Sequence, residues 1–366
     1  MRIIAKVGTS ILTAGSDRLD LEAMSRIVGQ VVRLRGEGHQ VALVSSGALA
    51  AGRHRLARHL SAGKEPSRQA YASVGQSHLM QSWDELFDWH DVVVAQVLLT
   101  RRDLSDRLGY LNARNTLRDL LEAGTVPIIN ENDAVALDQL LATRIGENDS
   151  LSAYVANLLD ADLLVMLTDV DGLYDRDPRL YPDATLLTKV DRIDAAIEAA
   201  AGGTQGVGTG GMITKLTAAR MATHGGADVI ITNGREAEAL IVAATARDRG
   251  TRFTASESKL ESRKRWILGS MTRSGAIVVD EGAVAALRRK GRSLLPAGIS
   301  SVDGVFERGE SVEVRGPGAE RLAVGISNYN SMELERIRGQ RSDRIADTLG
   351  YSYGDEAIHR DNLVLL

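Results

Sequence analysis

Short apolar runs alternate with longer segments of helical spacing through the first two thirds of the chain. Between Leu21 and Val32 apolar residues recur three or four positions apart, Asp20 is placed to cap this helix, and Gly36 is placed to end it. A second long helix is predicted over residues 67–89. Strands are predicted over residues 2–7, 40–45, 92–98, 126–129, 163–167 and 229–232. This alternation predicts an α/β fold with a mainly parallel sheet sandwiched by helices.

The pattern changes near residue 255. A charged, polar run predicts a linker, and short β-rich pieces separated by Gly and Pro turns follow it. These pieces, at 276–279, 304–306, 311–314 and 321–326 with a helix at 283–290, predict a small β-barrel-like module. The predicted division is therefore a first domain at 1–255, a linker at 256–273, the small module at 274–352 and a tail at 353–366.

Polar clusters follow four of the predicted strands. They are Lys6 to Ser10, Ser45 to Gly47, Asn130 to Asp133, and Thr168 with Asp169. Each could be an ordinary turn at a strand end. Since parallel sheets bind ligands at the carboxyl ends of their strands, the four together predict a site along that edge.

A glycine-rich stretch lies between residues 202 and 211 and leads into a predicted helix that contains Lys215. Glycine amides before a helix N-terminus form a typical phosphate site. Gly206, Gly208 and Gly211 also fit the GxGxxG dinucleotide pattern, but that motif must follow a strand, and residues 194–201 read as a helix. The P-loop pattern fails as well, because Leu216 follows Lys215.

Composition excludes several classes of protein. The 366-residue chain is 44% hydrophobic and 25% charged, with a net charge of −4, which gives no general footprint for nucleic acid or an anionic membrane. Cysteine is absent, so disulfides and thiolate chemistry are excluded. The histidines show no metal-ligand spacing, and no metal ligands are predicted. No signal peptide or apolar run of transmembrane length is visible, so we expect a cytoplasmic protein with no membrane contact.

Two lysines, Lys6 and Lys215, each lie beside a glycine loop without a nearby histidine base. Phosphoryl transfer to a carboxylate needs no base, because the nucleophile is already ionised at pH 7. It needs positive charge to offset repulsion between two anions. Asp149 could orient the lysines by ion pairing, cap a helix over residues 150–159, or do both, and spacing alone does not separate these roles.

Several motifs together resemble the glutamate 5-kinases of the amino acid kinase superfamily. They are Val-Gly-Thr-Ser (7–10), Ser-Ser-Gly-Ala (45–48), Leu-Asn-Ala-Arg (111–114), Pro-Ile-Ile-Asn-Glu-Asn-Asp (127–133), Asn-Asp (148–149), Leu-Thr-Asp (167–169) and Gly-Thr-Gly-Gly-Met-Ile-Thr-Lys (208–215). The resemblance covers essentially the whole chain. Val-Asp-Glu-Gly-Ala (279–283), Ser-Leu-Leu-Pro-Ala-Gly (293–298) and Gly325 look like the PUA domain of many bacterial members.

The resemblance implies ATP-dependent phosphorylation of the side-chain carboxylate of L-glutamate to L-glutamyl 5-phosphate, the first step of proline biosynthesis. Lys6, Lys215 and Asp149 would be catalytic. Ser46, Asp133 and Asn148 would hold glutamate, with Asp133 suited to its ammonium group. ATP would contact Lys6, Gly8, Thr168, Asp169, Thr209, Gly210, Gly211, Met212, Ile213, Thr214 and Lys215.

The resemblance also implies Mg²⁺, feedback inhibition by free proline, and a homodimer or homotetramer. The labile acyl phosphate would pass to glutamate-5-semialdehyde dehydrogenase, the next reductase. The chain departs from the family pattern in a longer segment at 134–145 and in Glu147, where the family usually has Asp. These departures flank the glutamate site, so they bear on substrate affinity and proline sensitivity.

Two alternatives stay open. A sibling enzyme would keep the chemistry and phosphorylate acetylglutamate or another small acid. Because PUA domains commonly bind structured RNA, the C-terminal module could instead make this an RNA-binding protein. Residues 274–352 contain eleven Lys or Arg and eleven Asp or Glu, whereas phosphate-driven binding favours a basic face.

Overall fold

The structure is a computed structural model that describes residues 1–57, 59, 65–135, 147–202, 211–246, 249–256, 258–259 and 275–366. The chain forms two compact units, residues 1–104 with 113–259 and residues 105–112 with 260–366. Most of the predicted linker at 256–273 lies outside the described residues. Within the described part of the chain, no helix has both the length and the apolar character needed to span a membrane.

An eight-stranded sheet organises the first unit. Its strands are β1 (Arg2–Val7), β2 (Gln40–Ser45), β3 (Val94–Leu99), β4 (Val126–Glu131), β5 (Leu163–Thr168), β6 (Lys189–Val190), β7 (Asp228–Asn233) and β8 (Thr251–Phe253). They lie in the order β3-β4-β2-β1-β5-β7-β8-β6, and only the β7–β8 pair is antiparallel among these strands. The predicted mainly parallel sheet is confirmed, and each of the six predicted strands has a counterpart here.

Helices connect the strands, as the helical spacing predicts. The helices up to residue 245 are α1 (Thr9–Leu12), α2 (Leu21–Gly36), α3 (Ala48–Leu56), α4 (Arg68–Asp88), α5 (Arg101–Ser105), α6 (Arg107–Glu122), α7 (Glu147–Leu158), α8 (Ala195–Ala200), α9 (Met212–His224) and α10 (Ala239–Thr245). The carboxylate of Asp20 accepts from the amides of Glu22 and Ala23, which confirms the predicted cap of α2. The helix predicted before the glycine stretch is also present as α8.

Helices α3 and α4 pack backbone against backbone. A Cβ added at Gly52 would lie 1.7 Å from the carbonyl oxygen of Tyr71, and one added at Gly75 would lie 1.7 Å from that of Ala48. No side chain fits at either position, so the two glycines set the distance between these helices. The start of α3, next to Ser46, is thereby held in a fixed position relative to the middle of α4.

The second unit has a five-stranded sheet in the order β10-β9-β11-β12-β13. Its elements are β9 (Gly275–Val279), α11 (Glu281–Lys290), β10 (Ile299–Gly304), β11 (Ser311–Arg315), β12 (Arg321–Ile326), α12 (Ser331–Ile337), α13 (Ile345–Leu349) and β13 (Leu363–Leu365). The strand predicted over 304–306 is wrong. The strand ends at Gly304, and Phe306 is buried in the core of the unit, where its aromatic ring contributes to packing without belonging to a strand.

The C-terminal residues take part in this sheet. Although the sequence placed 353–366 in a separate tail, β13 pairs antiparallel with β12, and the side chains of Ala357 and Ile358 are buried in the core of the unit. Leu111 packs in a small apolar cluster with Val324, Ile326 and Val364, which accounts for residues 105–112 grouping with this unit.

Candidate active site

The carboxyl ends of the central strands lie side by side at one edge of the sheet. Val7 is in register with Ser45 on one side and Leu167 on the other. Gly8 N–H donates to the carbonyl of Leu167 at 3.1 Å, and Ser46 N–H donates to the carbonyl of Val7 at 3.1 Å. A Cβ at Gly8 would lie 3.3 Å from that Leu167 oxygen and 3.7 Å from Lys6 Nζ, so a side chain there would crowd both.

Helices α7 and α9 lie side by side and begin at this edge. The Thr214 hydroxyl donates to Asp149 near the start of both helices, and Asn157 donates to the carbonyl of Met221 about two turns further along. Both contacts advance toward the C-terminus, by eight residues in α7 and by seven in α9, so the two helices run parallel. Their N-terminal ends, which carry partial positive charge, therefore lie together at the sheet edge.

Asp149 holds two buried lysines at this place. One carboxylate oxygen lies 2.7 Å from Lys6 Nζ, and the other lies 3.5 Å from Lys215 Nζ and accepts from the Thr214 hydroxyl at 2.7 Å. Asp149 is 2% exposed, Lys6 7% and Lys215 6%. Helix α7 begins at Glu147, so Asp149 is its third residue. The predicted capping role is wrong, because Asp149 lies within α7 and not at the position that precedes its first residue.

The electrostatic balance of the cluster keeps Asp149 ionised. Burial alone raises the pKa of Asp149, but the ammonium groups of Lys6 and Lys215 and the hydrogen bond from Thr214 outweigh burial and hold this pKa below its usual range. Burial lowers the pKa of Lys215. Attraction by Asp149 opposes this only partly, because Lys6 adds a second positive charge. The cluster carries one net positive charge when both lysines are protonated.

Polar side chains from β4, α7 and the β2–α3 junction form a second group. Asn148 Nδ2 donates to Ser46 Oγ at 2.9 Å and to Asn130 Oδ1 at 3.2 Å. Asn130 Nδ2 donates to Gln76 Oε1 at 2.8 Å. Asp133 is half-buried just beyond the end of β4. The structure thus brings the predicted residues Ser46 and Asn148 into contact. Because Asn148 directly precedes Asp149, this contact lies next to the lysine cluster.

Comparison with known proteins shows the family to which the chain belongs. A model of the amino acid kinase family matches residues 1–233, and a PUA domain model matches residues 275–349. The chain belongs to the amino acid kinase family. It is 49% identical to a glutamate 5-kinase from Herpetosiphon aurantiacus and 46% identical to one from Dehalococcoides mccartyi (strain CBDB1), in each case over 100% of this chain and 98% of the relative. A carbamate kinase from Giardia lamblia bound to AMP-PNP has a similar fold, with a TM-score of 0.50, 17% identity, and coverage of 70% of this chain and 98% of that one.

As a member of a kinase family, the protein uses ATP. Several residues predicted to contact ATP lie at the same edge. The Thr168 hydroxyl, at the end of β5, donates to Asp169 at 3.2 Å. Gly211 is the N-cap of α9 and provides no side-chain cap, with Met212, Ile213 and Thr214 in the first turn. Thr209 and Gly210, with most of the glycine stretch, lie outside the described residues, as do residues 136–145 and the side chain of Glu147.

Sequence reasoning missed two members of the polar group of this kinase. Asn130 belongs to a polar cluster that follows a predicted strand. The sequence therefore indicates that it lies at the sheet edge, but not which side chains it contacts. Gln76 lies in the middle of α4, and nothing in its neighbourhood in the sequence distinguishes it from Gln69 or Gln81 on the same helix. Only the close packing of α4 on α3 brings it to Asn130.

Proposed function

We propose that this chain transfers the γ-phosphoryl group of ATP to the side-chain carboxylate of L-glutamate, giving L-glutamyl 5-phosphate for proline biosynthesis. The buried Lys6–Asp149–Lys215 cluster at the carboxyl edge of the sheet carries the chemical part of this proposal. The relatives named glutamate 5-kinase, which align with the whole chain, support glutamate as the acceptor.

The cluster suits a reaction between two anions. The acceptor carboxylate is ionised at neutral pH and needs no general base, so the barrier comes from its repulsion by the γ-phosphate. Lys6 and Lys215 are already in position to offset this repulsion, since both are buried and held by one carboxylate. Donors that are already in place need no reorganisation as charge develops in the transition state. Asp149 would keep both ammonium groups aligned, and its negative charge opposes the lowering of the Lys215 pKa by burial.

The two ligands would occupy neighbouring parts of the edge. The nucleotide phosphates would lie against Gly8, Thr168, Asp169 and the start of α9, where peptide amides and the helix dipole favour an anion. Glutamate would lie against Ser46, Asn148 and Asp133, with the Asp133 carboxylate attracting its ammonium group. In this arrangement the reacting carboxylate points toward Lys6 and Lys215.

Mg²⁺ would accompany the triphosphate. Among the described residues, no group of three acidic or histidine side chains could hold a metal by itself. Mg²⁺ commonly keeps several waters and binds through substrate phosphates with one or two carboxylates, so a single protein carboxylate at this edge would be enough. Asp149 is engaged by two lysines, whereas Asp169 is an exposed carboxylate at the same edge and would supply an oxygen. The bound ion would neutralise charge on the phosphates.

A coupled assay of ADP release tests the proposed function. With ATP and Mg²⁺ present, release should depend on L-glutamate and stay near background with N-acetyl-L-glutamate or L-aspartate. Because an acyl phosphate reacts with hydroxylamine, the glutamate reaction should also yield a hydroxamate. Faster turnover with N-acetylglutamate than with glutamate would favour the sibling-enzyme alternative, and no turnover with any acid would refute the proposal.

Regulation, assembly and location are part of the same proposal. Inhibition by free proline, a homodimer or homotetramer, a cytoplasmic location, and transfer of the product to glutamate-5-semialdehyde dehydrogenase follow from the likeness to glutamate 5-kinases. Light scattering on the purified protein would give the oligomeric state. Addition of proline to the coupled assay would measure inhibition, and an unchanged rate at millimolar proline would count against it.

A further inference from the structure

Four side chains form a hydrogen-bonded chain at the amino-acid end of the site. It runs from Gln76 on α4 through Asn130 at the end of β4 to Asn148 on α7 and then to Ser46. Two polar atoms of this chain of side chains, Gln76 Nε2 and Asn148 Oδ1, are buried and have no hydrogen-bond partner among the described residues. A buried donor or acceptor without a partner is costly, and next to a binding site a ligand can supply the missing partner.

A single backbone N–H fixes the orientation of all three side-chain amides in this hydrogen-bonded chain. Glu131 N–H can only donate, and it donates to the Asn130 side chain at 2.9 Å, so that atom must be the oxygen Oδ1. Asn130 therefore presents its nitrogen to Gln76, and Gln76 must answer with Oε1. Asn148 must likewise present Nδ2 to Asn130 Oδ1.

This orientation determines which donors and acceptors the hydrogen-bonded side chains offer to a ligand. Gln76 has a free N–H donor at Nε2, and Asn148 has a free acceptor at Oδ1. Ser46 Oγ already accepts from Asn148, so its hydroxyl hydrogen is available to donate. Two donors and one acceptor match the carboxylate and the ammonium group at the α-carbon of an amino acid.

We propose that Gln76 is a specificity-determining residue that donates from Nε2 to the α-carboxylate of the amino-acid substrate. This rests on the proposed function and deepens it. The carboxylate that receives the phosphoryl group must lie against Lys6 and Lys215, so the α-carboxylate is the one left for the amide chain. Gly75, which allows α4 to contact α3 directly, helps to set the position of the neighbouring Gln76.

Two substitutions of similar size separate this role from a structural one. Gln76→Glu keeps an oxygen for Asn130 but replaces the free donor by a negative charge that repels a carboxylate. Gln76→Met removes the bond to Asn130 and adds no charge. A substrate contact predicts that Gln76→Glu raises the KM for glutamate more, about tenfold to a hundredfold, against about threefold to tenfold for Gln76→Met. The KM for ATP should change less than threefold in both, by the same reasoning.

Gln81→Glu is the matched control, since Gln81 is exposed on the same helix and the charge change is identical. It should leave both KM values within about twofold, as expected for a surface substitution. If Gln76→Met raises the KM for glutamate as much as or more than Gln76→Glu, or if neither changes it, the assignment of Gln76 is wrong while the proposed function stands. Absence of glutamate-dependent turnover in the unsubstituted protein would overturn the proposed function, and this assignment with it.

Discussion

Asp149→Asn tests the electrostatic core of the site. The substitution keeps the shape of the side chain and its ability to accept from Thr214, but it removes the negative charge between Lys6 and Lys215. Two buried ammonium groups then lose their counter-charge. Removing one partner of a buried ion pair costs about 3–5 kcal/mol.

Deprotonation limits this cost. Neutralising a lysine with an ordinary pKa costs about 4 kcal/mol near pH 7.4, and burial already lowers the pKa of Lys215. The expected loss in the free energy of unfolding is therefore about 3–4 kcal/mol at pH 7. In the variant, Lys215 releases its proton more readily in the folded protein than in the unfolded chain, because burial lowers its pKa. Stability then rises with pH, so the deficit should narrow between about pH 7 and pH 10.

The wild-type protein should lose the contribution of Asp149 to its stability in acid. Because the folded-state pKa of Asp149 is lowered, its stabilising contribution is fully present above about pH 4, the ordinary range of the carboxyl group. It is lost as the pH falls through the lower folded-state pKa. The Asn variant has no such group, so the difference between the two proteins should also shrink at low pH.

Urea unfolding measures both effects. Trp83 is fully buried in the first unit and its indole donates to Ser45 Oγ at 3.0 Å, so the fluorescence of Trp83 reports on the unfolding of that unit. Glu22→Gln is the control, because it breaks an exposed pair with Arg26 at 2.8 Å and should cost about 0.5 kcal/mol or less. A deficit below about 1 kcal/mol for Asp149→Asn, similar to the control, would refute the reasoning.

Four further predictions concern turnover, the KM for glutamate, and packing. Lys215→Ala should lower kcat about a hundredfold or more in the ADP assay, as for loss of a transition-state donor, and near-normal turnover would remove its catalytic role. Because the pKa of Lys215 is lowered, wild-type kcat should decline at a pH below the ordinary lysine value of about 10.4. Lys215→Arg should shift that decline upward since a guanidinium stays protonated, and an identical profile would show that another group titrates. Asp133→Ala should raise the KM for glutamate about tenfold through loss of a charged contact, whereas an effect confined to the KM for ATP would assign it to the nucleotide. Gly75→Ala should destabilise the protein by about 3 kcal/mol or more in urea, because its Cβ would meet the Ala48 carbonyl at 1.7 Å. Gly29→Ala, in the exposed interior of α2 with nothing within 4 Å, should instead add about 1 kcal/mol, and equal losses at both glycines would contradict the packing argument.

The amino-acid sequence determined those features that depend on neighbouring residues. The cap of α2 by Asp20 and the starts of the central strands follow from local hydrogen bonding and from the periodicity of apolar residues. The alternation of these elements fixed the parallel sheet. It therefore also indicated which polar clusters lie at the edge where the lysines meet.

Tertiary structure decided what depends on groups far apart in the chain. Spacing allowed Asp149 to cap a helix, to bind lysines, or to do both. Only the parallel packing of α7 and α9 brings Lys215 to it across 66 residues of sequence. Gln76 carries no local signal, because its position depends on the backbone contact of Gly52 and Gly75. The strand β13 is short and gains its stability from pairing with β12, so its three residues had no pattern to distinguish them from a tail. In each of these cases the deciding interaction is a long-range contact, which forms only when the whole unit has folded.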